Sequence, residues 1–168
     1  MSEIEAIGRL SGIREAFRAK IADDFEHRAK TCGTCETPGA CCLDAHFVNV
    51  RISRLEAAAI RRVVDGLSDD RRTAVYSRIE NAISDYGLVD PDNEKFACPL
   101  FEKGIGCLVH DTAKPLPCIA HACYENKNDL PPDKLLAFYE IKIDKLNKRV
   151  YGREMPVVSI PPAIMKRP

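Results

Sequence analysis

Eight cysteines constrain this chain more than any other feature of its sequence, because they fall into two groups of four. The first group has the spacing C-x2-C-x5-C-C, the second has C-x8-C-x10-C-x4-C, and about 55 residues separate the groups. The first group consists of Cys32, Cys35, Cys41 and Cys42, and the second of Cys98, Cys107, Cys118 and Cys123. Such crowding indicates one of three uses: disulfides, thiol redox chemistry or a metal site.

The N-terminal region predicts the cellular compartment of the protein, and that compartment argues against disulfides. Residues 1–30 include Glu3 and Glu5 and contain no apolar core of a secretory signal. No stretch of the sequence reaches the ~18 consecutive apolar residues of a membrane-spanning helix. We therefore expect a cytoplasmic protein, whose thiols are kept reduced.

The C-x2-C step between Cys32 and Cys35 favours a metal site. Two intervening residues form a tight turn that aims both sulfurs at one point, as zinc knuckles and iron–sulfur loops require. Thioredoxin-like redox pairs share this step, but no βαβ pattern surrounds it here. We therefore predict zinc or an iron–sulfur cluster bound by thiolates, and a metal-free thiol redox protein is the alternative.

The adjacent pair Cys41–Cys42 limits how the sulfurs can be shared. Neighbouring side chains diverge in extended backbone, so both reach one centre only if the chain bends there. Binding to two different centres is easier, so the pair favours either two nearby sites or one polynuclear cluster that joins both cysteine groups. His110 and His121 lie within the second group, and each is a candidate ligand or a hydrogen-bond partner of a thiolate.

The charge balance of the chain bears on its partners. Of its 168 residues, 25 are Lys or Arg and 25 are Asp or Glu, so the formal net charge is zero. This argues against a protein built to bind nucleic acid or an anionic membrane. No GxGxxG, P-loop, EF-hand loop or Ser/His/Asp signature is present. No catalytic residue is predicted, and whether the chain is an enzyme stays open.

The hydrophobic pattern predicts a mainly α protein, a small single domain of about four helices with a short β-hairpin in the cysteine-rich region. The helices are expected near residues 3–29, 53–66, 69–86 and 131–149, and a short strand near 46–52. The first helix is expected to bury a stripe of Ile4, Ile7, Ile13, Phe17, Ile21 and Phe25. Ser53 and Glu56 have the spacing of a capping box, and "EKGIG" is the expected hairpin turn between Cys98 and Cys107.

The C-terminal residues are expected to differ from the rest of the domain. We place the domain at 1–152 and a Pro-rich extended tail at 153–168, because prolines prevent a helix along its whole length. Such a tail would be an extended strap over the domain or a mobile end, and it is the predicted place for a partner protein to bind.

The cysteine pattern resembles the YkgJ-type cysteine-cluster proteins, described as zinc- or iron-chelating domains. Their C-x-x-C followed by a C-C pair matches the first group, and "VRISRLE" at 50–56 matches the following strand and helix start. "CPLF" at 98–101, Cys107 and the Lys114-Pro115 step before Cys118 match the remainder, and Cys123 is the eighth cysteine. His110 and Lys114 stand where an aromatic residue and an arginine are usual.

The resemblance covers residues 32–123 and implies a metal chelator in which all eight cysteines are ligands of zinc or of an iron–sulfur cluster. Flagellin lysine N-methylases carry a similar cysteine cluster. The resemblance therefore also admits an iron–sulfur electron carrier or a cluster-dependent protein-modifying enzyme.

Overall fold

The structure is a computed structural model that describes residues 1–30, 39–43, 50–86 and 96–165. The prediction of a mainly α fold is confirmed. The chain divides into two compact units, and each unit combines two separated stretches. Unit 1 comprises 1–38 and 114–155, and unit 2 comprises 39–113 and 156–168. The sequence did not indicate this division.

The described elements are short strands and helices of very different lengths. In chain order they are α1 (Glu3–Asp24), β1 (Ala29–Lys30), β2 (Arg51–Ile52), α2 (Arg54–Asp65), α3 (Asp69–Tyr86), β3 (Phe101–Glu102), β4 (Gly106–Cys107), α4 (Leu116–Ala120), β5 (Cys123–Tyr124), α5 (Asp133–Tyr151), β6 (Val158–Ser159) and α6 (Ile160–Met165). The strands form antiparallel pairs β1–β5, β2–β6 and β3–β4. Single 3-10 turns lie at Glu26–Arg28, Ala40–Cys42 and Lys127–Asp129.

Unit 1 is built on α1 and α5, with α4 packed against both. The Phe17 and Tyr139 rings lie 4.9 Å apart between centroids. The Tyr151 hydroxyl donates a hydrogen bond to the Glu3 carboxylate at 2.6 Å. Because the first turn of α1 meets the last turn of α5, the two helices run antiparallel.

The expected buried stripe of α1 is wrong in part. Ile4 is 68% exposed, and the buried apolar residues of the helix are Ala6, Leu10, Phe17 and Ile21. At 3.6 residues per turn, Ile4 lies about 140° around the helix from Phe17. Apolar residues at helical spacing therefore occupied two faces of α1, and the pattern alone did not distinguish them.

Unit 2 packs α2, α3 and α6 together. The predicted capping box at the start of α2 is present. The Glu56 carboxylate accepts a hydrogen bond from the Ser53 amide at 2.9 Å, and the Ser53 hydroxyl accepts one from the Glu56 amide at 3.3 Å. Most of α2 is buried, including Leu55, Ile60 and Val64.

The prediction of an extended tail is wrong for residues 160–165, which form α6. Pro161 and Pro162 lie in its first turn, where helical N–H groups have no intrahelical partner, so proline is tolerated there. Ile160 and Ile164 are buried. The buried Arg61 guanidinium donates to the Ala163 carbonyl at 3.1 Å, at the end of α6. This part of the tail belongs to the core of unit 2.

No helix in the described parts of the chain combines the length and the apolar character needed to cross a lipid bilayer.

Candidate metal centre

Cys41 and Cys42 lie in the 3-10 turn Ala40–Cys42. The turn follows Gly39, whose φ of 82° is in the left-handed region. The Cys42 amide donates to the Gly39 carbonyl at 2.8 Å and closes the turn. The backbone therefore bends at the cysteine pair. Such a bend is what two adjacent cysteines need if both of their sulfurs are to bind at one centre.

Gly39 is also required by close packing. The ring of Phe101 lies against its Cα, so that a Cβ at this position would overlap the ring carbons. Since Phe101 is on β3, this contact joins the cysteine turn to the hairpin. No local sequence signal could have identified it.

Cys98 and Cys107 are carried by the predicted hairpin. Strands β3 and β4 are antiparallel, and Phe101 pairs with Cys107. The Phe101 amide donates to the Cys98 carbonyl at 3.1 Å, which fixes Cys98 just before β3. Gly104 has positive φ in the connecting turn, and Gly106 has positive φ at the start of β4, where the chain leaves the turn.

Two cysteines from each sequence group lie together in unit 2. The Cys98 amide donates a hydrogen bond to the Cys42 carbonyl at 2.9 Å, linking the hairpin to the 3-10 turn. The thiols of Cys41, Cys98 and Cys107 are close enough to Cys42 to act on its ionisation. We refer to Cys41, Cys42, Cys98 and Cys107 as the unit-2 cluster. All four side chains are half-buried.

The surroundings of Cys42 oppose its ionisation. Burial is the largest cause, followed by the charges of the neighbouring thiolates of Cys98, Cys41 and Cys107 and a hydrogen bond with Cys41. Together they raise the pKa of Cys42 to about 12. A thiol with this pKa is protonated at neutral pH unless a cation stabilises its thiolate.

Two arginines of α3 attach the hairpin to the helix. Arg78 Nε donates to the Pro99 carbonyl at 2.9 Å, and Arg71 Nη2 donates to the Glu102 carboxylate at 3.2 Å. Two further nitrogens, Arg78 Nη2 and Arg71 Nε, are buried and make no hydrogen bond within the described residues. They place positive charge beside the segment that carries Cys98 and Cys107. No motif in the sequence indicated either arginine.

The remaining predicted ligands fall in unit 1 or outside the described residues. Cys118 is half-buried on α4, and the exposed Cys123 is on β5 opposite Lys30 of β1. Cys32 and Cys35 lie outside the described residues.

The two candidate histidines are exposed. The His110 amide donates to the Cys107 carbonyl at 3.1 Å, so its backbone adjoins the unit-2 cluster. His121 ends α4 in unit 1.

The unit-2 thiols are neighbours without forming a closed ligand shell. Within the described residues, no three His, Cys, Asp or Glu side chains are arranged to hold one ion. None of the six described cysteines is in a disulfide. The chemistry of the donor set nevertheless fits a thiophilic ion, since four sulfurs from two chain segments are available together.

No protein-family model matches the chain, and neither a curated protein nor a solved structure matches it.

Proposed function

We propose that this protein binds zinc or an iron–sulfur cluster through cysteine thiolates, with the unit-2 cluster as one centre. The supporting observation is the position of Cys42, half-buried beside three other thiols from two distant chain segments. Four thiolates complete a tetrahedral zinc shell or hold one cubane cluster. The motif resemblance to YkgJ-type proteins points to the same chemistry, and the proposed location is the cytoplasm.

The raised pKa of Cys42 favours a metal ligand over a redox nucleophile. Reactive cysteines have a lowered pKa, because the thiolate is the attacking species. Cys42 has the opposite tendency, and a divalent cation would reverse it by neutralising the thiolate charges that repel one another.

The other four cysteines are proposed as a second centre. Cys118 and Cys123 are in unit 1, whose first stretch, 1–38, also includes Cys32 and Cys35. In the sequence Cys32 follows the last residue of β1 by two positions, and β1 pairs with β5, which carries Cys123. This proposal divides each sequence group of four between two centres, two cysteines to each, and keeps the adjacent pair Cys41–Cys42 in one of them.

Anaerobic purification followed by elemental analysis and a visible spectrum tests the proposal. Zinc in colourless protein, or iron and sulfide in brown protein, would support it and identify the metal. Cys42→Ser should lose about half of the bound metal if there are two centres, because one of four thiolates is removed. Ala40→Ser in the same turn is the control and should keep all of it. Metal-free native protein would overturn the proposal.

A further inference from the structure

The exposed side of α5 in unit 1 carries an unusual set of residues. It combines five basic residues with two large apolar ones, and all seven are exposed. Successive members are one, three or four residues apart, and at 100° per residue all seven fall within an arc of about 120°, so they share one face of the helix. We call this set the α5 outer face; it consists of Lys134, Phe138, Ile141, Lys142, Lys145, Lys148 and Arg149.

The acidic residues of α5 lie elsewhere on the helix. Asp133, Glu140 and Asp144 fall on one flank at helical spacing, while Ile143 and Leu146 are buried on the inner side. Lys148 is paired with Glu154 at 2.7 Å. The remaining basic groups of the outer face give this side of a neutral protein a local positive charge.

Apolar surface accompanies this charge. Phe138 is 55% exposed and Ile141 is 53% exposed. The Lys142 ammonium lies 4.2 Å from the centroid of the Phe138 ring, so the charge and the ring are presented together. A contiguous exposed apolar patch rimmed by polar groups is typical of an interaction site.

A groove of about 470 Å³ adjoins the outer face, between the end of α1 and the start of α5. Its apolar lining comes from Phe25, Pro132, Leu135 and Phe138, and Lys20 and Lys134 contribute to its edges. Lys20 forms an ion pair with Asp24 at 2.6 Å, so the charge available to a partner is mainly that of α5.

We propose that the α5 outer face and this groove bind an acidic amphipathic helix of a partner protein. An aliphatic or aromatic side chain of that helix would enter the groove beside Leu135 and Phe138. Its carboxylates would pair with Lys134, Lys142 and Lys145. The mode is that of a helix laid in a groove, with apolar anchors for affinity and charges for orientation.

The arrangement fits a protein segment better than a lipid surface. A helix that lies in a membrane interface turns a continuous apolar face inward and keeps its lysines on the opposite face. Here Lys142 and Lys145 lie among the apolar residues of the outer face, and apolar atoms line the adjoining groove. The proposal concerns unit 1 residues that take no part in the proposed metal centres.

Fluorescence anisotropy with the full-length protein tests the proposal. The probe is a fluorescein-labelled synthetic peptide of Glu, Leu and one Phe, patterned so that its apolar residues share one helical face. We expect 1:1 binding in the micromolar range that weakens with added salt. Phe138→Ala and Lys142→Glu should each weaken binding about tenfold, as expected for an aromatic anchor and a reversed charge. A shuffled peptide of equal composition should bind weakly.

The controls are variants of matched chemistry away from the outer face. Ile4→Ala removes an exposed apolar side chain of α1, and Lys103→Glu reverses an exposed charge of the hairpin; both should bind the peptide as the native protein does. If Phe138→Ala and Lys142→Glu both bound the peptide as tightly as the native protein does, the proposal would be overturned. So would recruitment to phosphatidylserine vesicles without peptide binding, or a dimer that dissociates on Phe138→Ala. Unchanged circular dichroism would establish that each variant is folded.

Discussion

The amide of Cys98 donates a hydrogen bond to the carbonyl of Cys42 at 2.9 Å, and this contact joins the two cysteine groups of the sequence. One partner closes a 3-10 turn and the other precedes a hairpin, so neither segment alone presents all four thiols of the unit-2 cluster. The cluster therefore depends on the fold of unit 2, and its properties should respond to changes in the contacts that hold the two segments together.

Gly39→Ala should destabilise unit 2 and reduce its metal content. The new Cβ would overlap the Phe101 ring, and φ at this position is 82°. Strained backbone and overpacking together should cost about 2–4 kcal/mol of unfolding free energy, measured in urea. Gly104→Ala is the control, because its φ is 84° but nothing lies within 4 Å of its Cβ position. If the two variants were equally stable, the packing argument would be wrong.

Arg61→Met should show that α6 is part of the core. The buried guanidinium donates to the Ala163 and Ile164 carbonyls at the end of α6. Methionine fills a similar volume but leaves those carbonyls without this donor, so we expect a loss of about 1.5–3 kcal/mol. Arg62→Met changes the exposed neighbour and should change stability by less than about 0.5 kcal/mol. Urea unfolding of both variants measures the difference.

The metal-free protein should lose stability at alkaline pH through Cys42. Its pKa rises from 9.0 to about 12 on folding, so folding favours the protonated thiol. That contribution is fully present below pH 9 and is lost as the pH rises toward 12. The melting temperature should fall over this range. Cys42→Ala should show a smaller fall, because the contribution of Cys42 is removed and only that of other titrating groups remains. An identical pH profile for the two proteins would contradict the raised pKa.

Removal of metal by a strong chelator should loosen the cysteine-bearing segments before the long helices. Without metal the thiolates become protonated and no longer crosslink their segments. The helices α1 and α5 keep the Phe17–Tyr139 contact and their buried apolar residues. Limited proteolysis read by mass spectrometry should show early cleavage near 39–43 and 98–107. Early cleavage within α1 instead would argue against a local role of the metal.

Local signals in the sequence were sufficient for several elements. The helix at Asp69–Tyr86 has the bounds that its apolar period predicted, and the Ser53–Glu56 capping box marks the start of α2. The hairpin followed from its glycine turn. Each of these features depends on residues a few positions apart, so a short stretch of sequence is sufficient to predict it.

Long-range contacts could not be predicted in this way. The division into two units, the packing of Phe101 on Gly39 and the bond from Arg78 to the Pro99 carbonyl join residues far apart in sequence. The C-terminal helix was missed because prolines that prevent a helix along the whole tail were interpreted as leaving the tail extended, although Pro161 and Pro162 occupy the first turn of a short helix. The candidate ligands were predicted from cysteine spacing, but the distribution of the described cysteines between the two units required the fold.

X-ray absorption spectroscopy at the metal edge would show directly whether cysteine thiolates bind the metal. In the anaerobically purified protein, thiolate ligation predicts a first shell made of sulfur, at about 2.3 Å for zinc. Cys42→Ser should retain less metal, or show oxygen or nitrogen in that shell. A native first shell of nitrogen and oxygen at about 2.0–2.1 Å, with no sulfur, would contradict the account.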